Sequence, residues 1–314
     1  MTAYILRRLL QTIPVLVLSS ILVFALIRLI PGDPALVIAG PDALPEQVAA
    51  VRERLGLDQP IWVQYLIWAR RVLQGDLGVS VLNSFPVAEL IWLKFGATLQ
   101  LTLGATVVSL LISFPLGILS AVRRGSWIDR AASIFMALTY AIPTFWLGIL
   151  LVLLFALQLR WLPPSGNVAF SDKPWLAFKL LILPSVTLGL YTAAVLTRFL
   201  KTALLEIMNQ DFIRTARAKG LAQRGIIARH MLKNALIPFI TVFGLQIGVF
   251  LGGSVVTESI FDWPGMGRMM LHAIQTRDYP VLQGGILFIV VGFIIVNLIT
   301  DLTYAIFDPR IRYQ

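Results

Sequence analysis

The chain has 314 residues, of which 58% are hydrophobic and 13% are charged, with a net charge of +10 and no cysteine. Soluble domains contain about 45–50% apolar and about 25% charged residues, so this composition excludes an ordinary water-soluble protein. A sequence without cysteine has no disulfide, thiolate metal site or catalytic thiol. His230 and His272 lack metal-ligand spacing, and no phosphate-binding loop or nucleophile elbow occurs, so we expect no catalytic and no metal site.

The first predicted element is an apolar run at residues 9–30, which follows the basic pair Arg7 and Arg8. A cleaved signal peptide also begins with basic and then apolar residues. This run is too long for one and lacks a clean small-residue cleavage site. We therefore expect an uncleaved first membrane span.

Five further runs approach or exceed the roughly 20 apolar residues that a spanning helix needs. They are residues 99–122, 131–159, 180–200, 237–256 and 282–307. The runs are too long for barrel strands and do not alternate in polarity. The run at 180–200 is the weakest because it contains Pro184. The expected fold class is therefore an all-α membrane protein with six transmembrane helices.

Six spans place both termini on one side of the membrane, and basic residues concentrate on the cytoplasmic side of such proteins. If the termini are cytoplasmic, the outer segments are balanced in charge and the whole net charge of +10 lies inside. This distribution accounts for the basic character of the chain. No soluble basic domain with stacking aromatics is present, so we expect no nucleic-acid partner.

Residues 31–96, between the first two spans, are predicted to form a small helical extracytoplasmic cap. It is preceded by a first segment, residues 1–30, and followed by the membrane core, residues 97–314. The cap opens with a turn and contains a helix at 45–55 that stops at Gly56. An amphipathic helix at 61–73 carries Trp62, Tyr65 and Trp68. This helix lies either at the outer membrane–water boundary or against the bundle.

The longest cytoplasmic loop, residues 201–236, is rich in Lys and Arg. Asp211 is predicted to cap a helix at 212–219 that ends at Gly220, and a second helix follows at 226–236. Attraction to anionic lipid and the positive-inside rule explain the charge. They do not explain the apolar residues embedded in the helix–glycine–helix pattern, which need a protein surface to pack against.

Residues 214–220 (RTARAKG) with 229–238 (RHMLKNALIP) resemble the EAA-type loop of ABC importer permeases. The form is similar to the peptide/nickel branch, which includes dipeptide, oligopeptide, nickel and glutathione importers. Arg214 and Thr215 stand where the general pattern has an acid and an alanine, and the proline comes late, at Pro238; these departures match the peptide branch. Further matching segments occur in order at residues 4–10, 31–34, 55–60, 75–78, 252–267 and 308–313.

The resemblance implies the type I ABC importer permease fold and a place in the bacterial cytoplasmic (inner) membrane as a multi-pass protein. It also implies a second, similar permease, two cytoplasmic ABC ATPases and an extracytoplasmic solute-binding protein as partners, besides the lipid bilayer. The chain would form part of the path for peptides or similar small solutes. It would not itself be an enzyme and would hold no cofactor, since ATP and Mg would bind to the partner ATPases.

Three groups of candidate site residues follow. The ATPase-coupling residues are Asp211, Phe212, Arg214, Thr215, Ala216, Arg217, Ala218, Lys219, Gly220 and Leu221. Their basic members either pair with acids on the ATPase or only enforce topology. The external gate or binding-protein contact consists of Glu258, Phe261, Trp263, Pro264 and Gly265, unless this turn is merely a structural re-entrant corner. Gln246 and Asn297 are the polar candidates for lining the path.

The spacing of Gly244, Gly248 and Gly252 predicts a small-residue face that allows close helix approach, whether sliding or static. Two other classes of membrane protein require features of their own. A secondary transporter or channel needs membrane carboxylates or an inverted repeat, and an intramembrane enzyme needs a catalytic set at membrane depth. Neither is visible in the sequence. Dependence of transport on a separate ATPase would distinguish the importer from both.

Overall fold

The computed structural model describes residues 2–29, 34–40, 43–252 and 255–307, and all regular elements in these ranges are helices. Residues 31–33 of the predicted turn, Gly253 and the motif at 308–313 lie outside them. The helices are α1 (Thr2–Leu29), α2 (Pro34–Ala39), α3 (Pro45–Leu55), α4 (Ile61–Leu73), α5 (Val87–Val122), α6 (Trp127–Ala141), α7 (Thr144–Leu151, continued by a π-helical stretch Val152–Gln158), α8 (Pro174–Met208), α9 (Asp211–Ala218), α10 (Gln223–Gly225, continued by a π-helical stretch Ile226–Met231), α11 (Leu232–Leu251), α12 (Val255–Ile260), α13 (Met266–Gln275) and α14 (Tyr279–Phe307).

Five helical stretches among the described residues are long and apolar enough to cross a membrane, and a bent pair makes a sixth. The predicted third span, 131–159, is wrong as a single helix, because α6 and α7 meet at an angle of 103°. Ile142 is extended at the break and Pro143 follows it. Proline disfavours helical geometry in the preceding residue and has no N–H to continue the ladder, so the chain turns there.

Helix α8, predicted as the weakest span, is the central helix of the bundle. Of the residues in its most apolar stretch, 72% are buried, against 11% for α1. It contacts α5, α6, α7 and α11. Gly189 allows a close approach to α5, because a Cβ there would lie 2.8 Å from the carbonyl oxygen of Ala105. The helix runs through Pro184, which is buried among these neighbours.

The predicted helices at 45–55 and 61–73 form as α3 and α4, and Gly56 has the positive φ (65°) of a helix stop. Tyr65 of α4 hydrogen-bonds Ser20 of α1 (2.8 Å), and its ring lies edge-on to Phe24 (5.4 Å between centroids). One face of α4 therefore packs on the bundle. Trp62 and its apolar neighbours remain exposed, as the alternative of an interfacial helix also requires. Helix α5 begins at Val87, inside the predicted cap, so it extends well beyond the predicted span.

The predicted glycine face joins α11 to α14. A Cβ at Gly248 would lie 2.5 Å from Cδ2 of Phe293, and one at Gly244 would overlap Thr300. Gly252 is looser, since a Cβ there would be 3.8 Å from Ile289. The spacing thus predicted the contact between α11 and α14 correctly, and Gly244 and Gly248 create it.

We expect Gly248→Val to lower the melting temperature of the purified protein and the yield of monodisperse protein, because the added atoms overlap Phe293. Overpacking of this kind costs roughly 1–3 kcal/mol. The control is Leu245→Val, which adds a β-branched residue at an exposed position one turn earlier. Equal melting temperatures for both variants would contradict the close packing.

Candidate functional site

Helix α9 lies at the C-terminal end of α8, from which only two residues separate it. Its inner face carries Ile213, which is 0% exposed, and Ala216, which is buried. Both belong to an apolar cluster with residues of α8 and of the helix from α10 to α11, namely Leu196, Leu200, Ala203, Leu204, Ile226, Met231, Ala235 and Phe239. Motion of α9 must therefore displace these two helices.

The outer face of α9 carries one aromatic side chain among charges. Phe212 is 44% exposed although it is large and apolar. The exposed positions around it are Arg214, Thr215, Arg217, Ala218, Lys219, Gly220 and Leu221. Gly220 has a φ of 74°, a conformation that favours glycine, so the chain reverses there. This end of the protein therefore exposes one aromatic side chain and three cations, Arg214, Arg217 and Lys219.

The structure divides and corrects the predicted coupling residues. Ala216 points into the protein, so it positions the helix rather than forming part of its outer surface. Asp211 is not the cap: Gln210 precedes the helix, and Asp211 is its first residue, where a carboxylate favours the helix dipole. Its carboxylate pairs with Arg214 (3.4 Å). The second predicted helix, 226–236, is not separate, because it continues without a break into α11.

A recess of about 280 Å³ opens beside α9. Its walls are Val122 of α5, Met208 of α8, Gln223 of α10 and three residues of the following π-helical stretch, Ile226, Ile227 and Met231. Arg217 and Leu221 stand at its α9 side. Phe212 is not among the residues that line the recess, so the two are separate features of this end of the protein.

An ion pair that the sequence did not predict connects α8 to α6 close to α9. Lys201 of α8 pairs with Asp129 of α6, whose other carboxylate oxygen accepts from the N–H of Gly125 (2.9 Å). Both side chains are largely shielded from solvent. Nothing in the sequence spacing relates two residues that far apart, so the pair appears only in the folded chain.

We expect Lys201→Ala to destabilise the protein by roughly 1–3 kcal/mol, because it leaves the shielded Asp129 carboxylate without its cation. Thermal unfolding in detergent measures the loss. The double variant Asp129→Asn with Lys201→Ala should regain part of it. A double variant no more stable than Lys201→Ala would show that the pair is not coupled.

On the opposite side of the bundle, the turn between α12 and α13 is held by a buried carboxylate. Glu258 is 0% exposed, and its oxygens accept from the N–H of Arg268 (2.8 Å) and the hydroxyl of Thr98 (3.2 Å). The same hydroxyl accepts from the N–H of Met266 (2.8 Å). Glu258 thus caps the first turn of α13 and ties it to α5. Burial raises the pKa of the Glu258 carboxyl, against the opposing effect of the Arg268 and Thr98 hydrogen bonds.

The other residues of this turn are also mostly internal. Phe261 and Trp263 are buried, and the indole N–H of Trp263 donates to the carbonyl of Ala97 (2.8 Å). Gly265 is buried as well, and a Cβ there would overlap the Glu258 carboxylate. Pro264 alone among the five predicted residues is half-buried. Four of the five residues are therefore shielded from contact with another protein in this conformation. A role in a gate does not require an exposed surface.

A recess of about 370 Å³ lies next to this turn. Pro264 and Gly265 line one wall, and the charged or polar side chains around it are Asn83, Lys94, Arg268, His272 and Asp278. Sequence reasoning did not single out Lys94 or His272 for this surface. Among the described residues no cluster of His, Asp and Glu has the make-up of a metal site.

The two predicted path residues occupy different settings. Gln246 is half-buried on α11, and its amide oxygen accepts from the hydroxyl of Thr192 on α8 (3.3 Å). Asn297 is half-buried on α14. The first therefore bridges α11 to the central helix, and whether either one meets the solute stays a prediction.

Comparison with known sequences matches nearly the whole chain. A family profile described as "Binding-protein-dependent transport system inner membrane component" matches residues 113–313, and one for the N-terminal part of such membrane components matches residues 1–102. The dipeptide transport system permease protein DppB of Alkalihalophilus pseudofirmus is 42% identical over 100% of both chains. The glutathione transport system permease protein GsiC of Salmonella choleraesuis is also 42% identical over 100% of both.

Among solved structures, the inward-facing MetNI methionine ABC transporter contains a similar chain, with a TM-score of 0.57 and 18% identity. The match covers 70% of the present chain and 96% of that one. At this identity the likeness establishes the fold alone, which is that of a type I ABC importer permease.

Proposed function

Since the chain belongs to the family of inner membrane components of binding-protein-dependent transport systems, we propose that it forms, with a second permease, the membrane path for peptides or similar small solutes. Its 42% identical relatives are named for dipeptide and glutathione transport, which supports this solute class. We further propose that an extracytoplasmic binding protein delivers the solute.

The outer face of α9 carries the proposal that two cytoplasmic ATPases drive this chain. Phe212 is a large apolar side chain left exposed on α9, and the cations Arg214, Arg217 and Lys219 are exposed on the same helix or directly after it. A docking protein with an apolar pocket and an acidic rim complements this surface. Because the inner face of α9 packs on α8 and α11, movement of such a partner would reach both spans. ATP and Mg would bind to the partners and not to this chain.

The basic residues that follow α5 and surround α9 support cytoplasmic termini. The turn that Glu258 holds would then lie outside, where it fits an external gate. A gate needs a rigid element that moves as a unit, and the hydrogen bonds from α13 and α5 to this carboxylate supply that rigidity.

The test is purification of the tagged chain from its native membrane, followed by reconstitution of the purified complex into liposomes. We expect a second permease and ATPase subunits to co-purify, and uptake of alanyl-alanine to require ATP, Mg and the binding protein. Recovery of the chain alone, or uptake that persists without ATP, would refute the importer assignment.

A further inference from the structure

The central helix α8 is buried on most of its surface but keeps one exposed polar strip. The exposed polar members are Tyr191, Arg198, Thr202 and Glu206, and Phe199, next to Arg198, is exposed as well. The offsets of the polar members from Tyr191 are 7, 11 and 15, so they share one face of the helix. Burial of the remainder shows that this helix lies inside the bundle. Its exposed strip is therefore a surface that the chain itself does not cover.

Helix α6 runs antiparallel to α8 along this strip. Lys201 pairs with Asp129 at one end, and Tyr191 stacks edge-on against Tyr140 at the other, with ring centroids 5.8 Å apart. The two contacts are separated by about ten residues of helix, or about 15 Å. The tyrosine pair therefore lies well inside the apolar part of both helices. Arg198 is exposed on the same face of α8, two turns beyond Tyr191.

This cluster does not suit a lipid-facing position. Tyr140 and Tyr191 are 40% and 41% exposed, and Arg198 is exposed as well. An arginine at membrane depth is costly unless it faces water or a polar partner. The outer face of α5 is different in kind, since its exposed residues Leu103, Val107 and Leu111 are all aliphatic and suit lipid.

We propose that Tyr140, Tyr191 and Arg198 line the water-filled path and form a subsite that binds the carboxylate of the solute. This rests on the proposed function, in which the solute is peptide-like and carries a free carboxylate. A guanidinium binds a carboxylate through two parallel hydrogen bonds, and the phenol hydroxyls add further donors. The tyrosine rings give the organic part of the solute an apolar wall. Gln246 borders the strip through Thr192, which follows Tyr191 directly.

The first test uses the natural absence of cysteine from the chain. Single cysteines are placed at Tyr191 and, as a lipid-facing control, at Leu111, which is 70% exposed on α5. The complete complex in liposomes is treated with the water-soluble anionic reagent sulfonatoethyl methanethiosulfonate. We expect Tyr191→Cys to react at least about tenfold faster, because thiolates form in water and hardly at all in hydrocarbon. Equal rates would overturn the placement on the path.

The second test asks whether Arg198 makes the strip selective for anions. The labelling rate of Tyr191→Cys is compared for the anionic reagent and its cationic trimethylammonium analogue, with Arg198 present or replaced in Arg198→Gln. We expect the preference for the anion to fall about fivefold in Arg198→Gln, and Arg198→Lys to retain most of it. The control is Arg130→Gln, which removes the same charge from an exposed site on α6. An unchanged preference, as expected if an acid of the partner permease neutralises Arg198, would overturn the subsite.

The third measurement separates this proposal from the proposed function. Alanyl-alanine should slow labelling of Tyr191→Cys, whereas alanyl-alaninamide, which lacks the carboxylate, should not. Equal protection by both compounds overturns carboxylate recognition while leaving the importer intact. Absence of ATP-driven uptake by the natural complex overturns the importer assignment, whatever the labelling shows.

Discussion

A chain carrying Phe212→Asp is expected to fold and insert like the natural chain but to lose its ATPase subunits on purification. Phe212 is 44% exposed and contributes little to the core, so its loss leaves α9 in place. An aromatic residue at the centre of a docking surface contributes at least about 2 kcal/mol to binding, or about thirtyfold in affinity. A carboxylate at this position would also repel the acidic residues of the docking partner, which the cations of α9 are proposed to attract. Co-purification and ATP-driven uptake measure the loss.

Arg229→Gln is the matched control, because it also makes the same region more negative by one charge but lies at an exposed position outside α9. ATPase retention should be close to normal in this variant. Undiminished retention by Phe212→Asp would place the coupling contact elsewhere. Ala216→Glu is a poor probe of the same contact, because a buried carboxylate in the apolar cluster would disrupt the chain itself.

The second large effect is expected at the turn between α12 and α13. Gly265→Ala should strongly lower both the melting temperature and uptake, because the added methyl overlaps the Glu258 carboxylate. Glu258→Ala should also destabilise the protein, by roughly 2–4 kcal/mol, since it leaves the N–H of Arg268 and the hydroxyl of Thr98 without their acceptor.

The two substitutions should be non-additive when they are combined. Removal of the carboxylate makes room for the methyl, so the double variant should be more stable than the sum of the single effects by at least about 1 kcal/mol. Ser259→Ala, at an exposed position next to Glu258, is the control and should melt like the natural protein. Strict additivity would mean that the carboxylate and Gly265 do not meet.

Local signals in the sequence were enough to predict the short helices. Pro45 and Gly56 bound α3, and the amphipathic pattern of 61–73 gives α4 to the residue. The glycine spacing on α11 likewise predicted its close contact with α14. These features depend on neighbours within one or two turns, which a sequence displays directly.

Two kinds of feature were missed: a break that a continuous apolar run hides, and contacts between residues far apart in the sequence. The apolar run at 131–159 continues through the break, so hydropathy hides the bend that Pro143 causes. Polar residues such as Glu89 and Lys94 end the apolar run short of the true start of α5. Contacts with α13 and α14, which lie far along the chain, stabilise this part of the helix. Thr98 and Glu258 are 160 positions apart, so no spacing rule connects them.

The position of α1 has a consequence for biogenesis. Among the described residues its main packing partner is α14, and Arg8 near its start pairs with Asp301 near the end of that helix (3.3 Å). The ribosome therefore releases the first helix into the bilayer long before its partner exists. Docking of α1 has to wait for the last helix of the nascent chain. A prematurely terminated chain leaves its first helix undocked, a difference that membrane proteases can recognise.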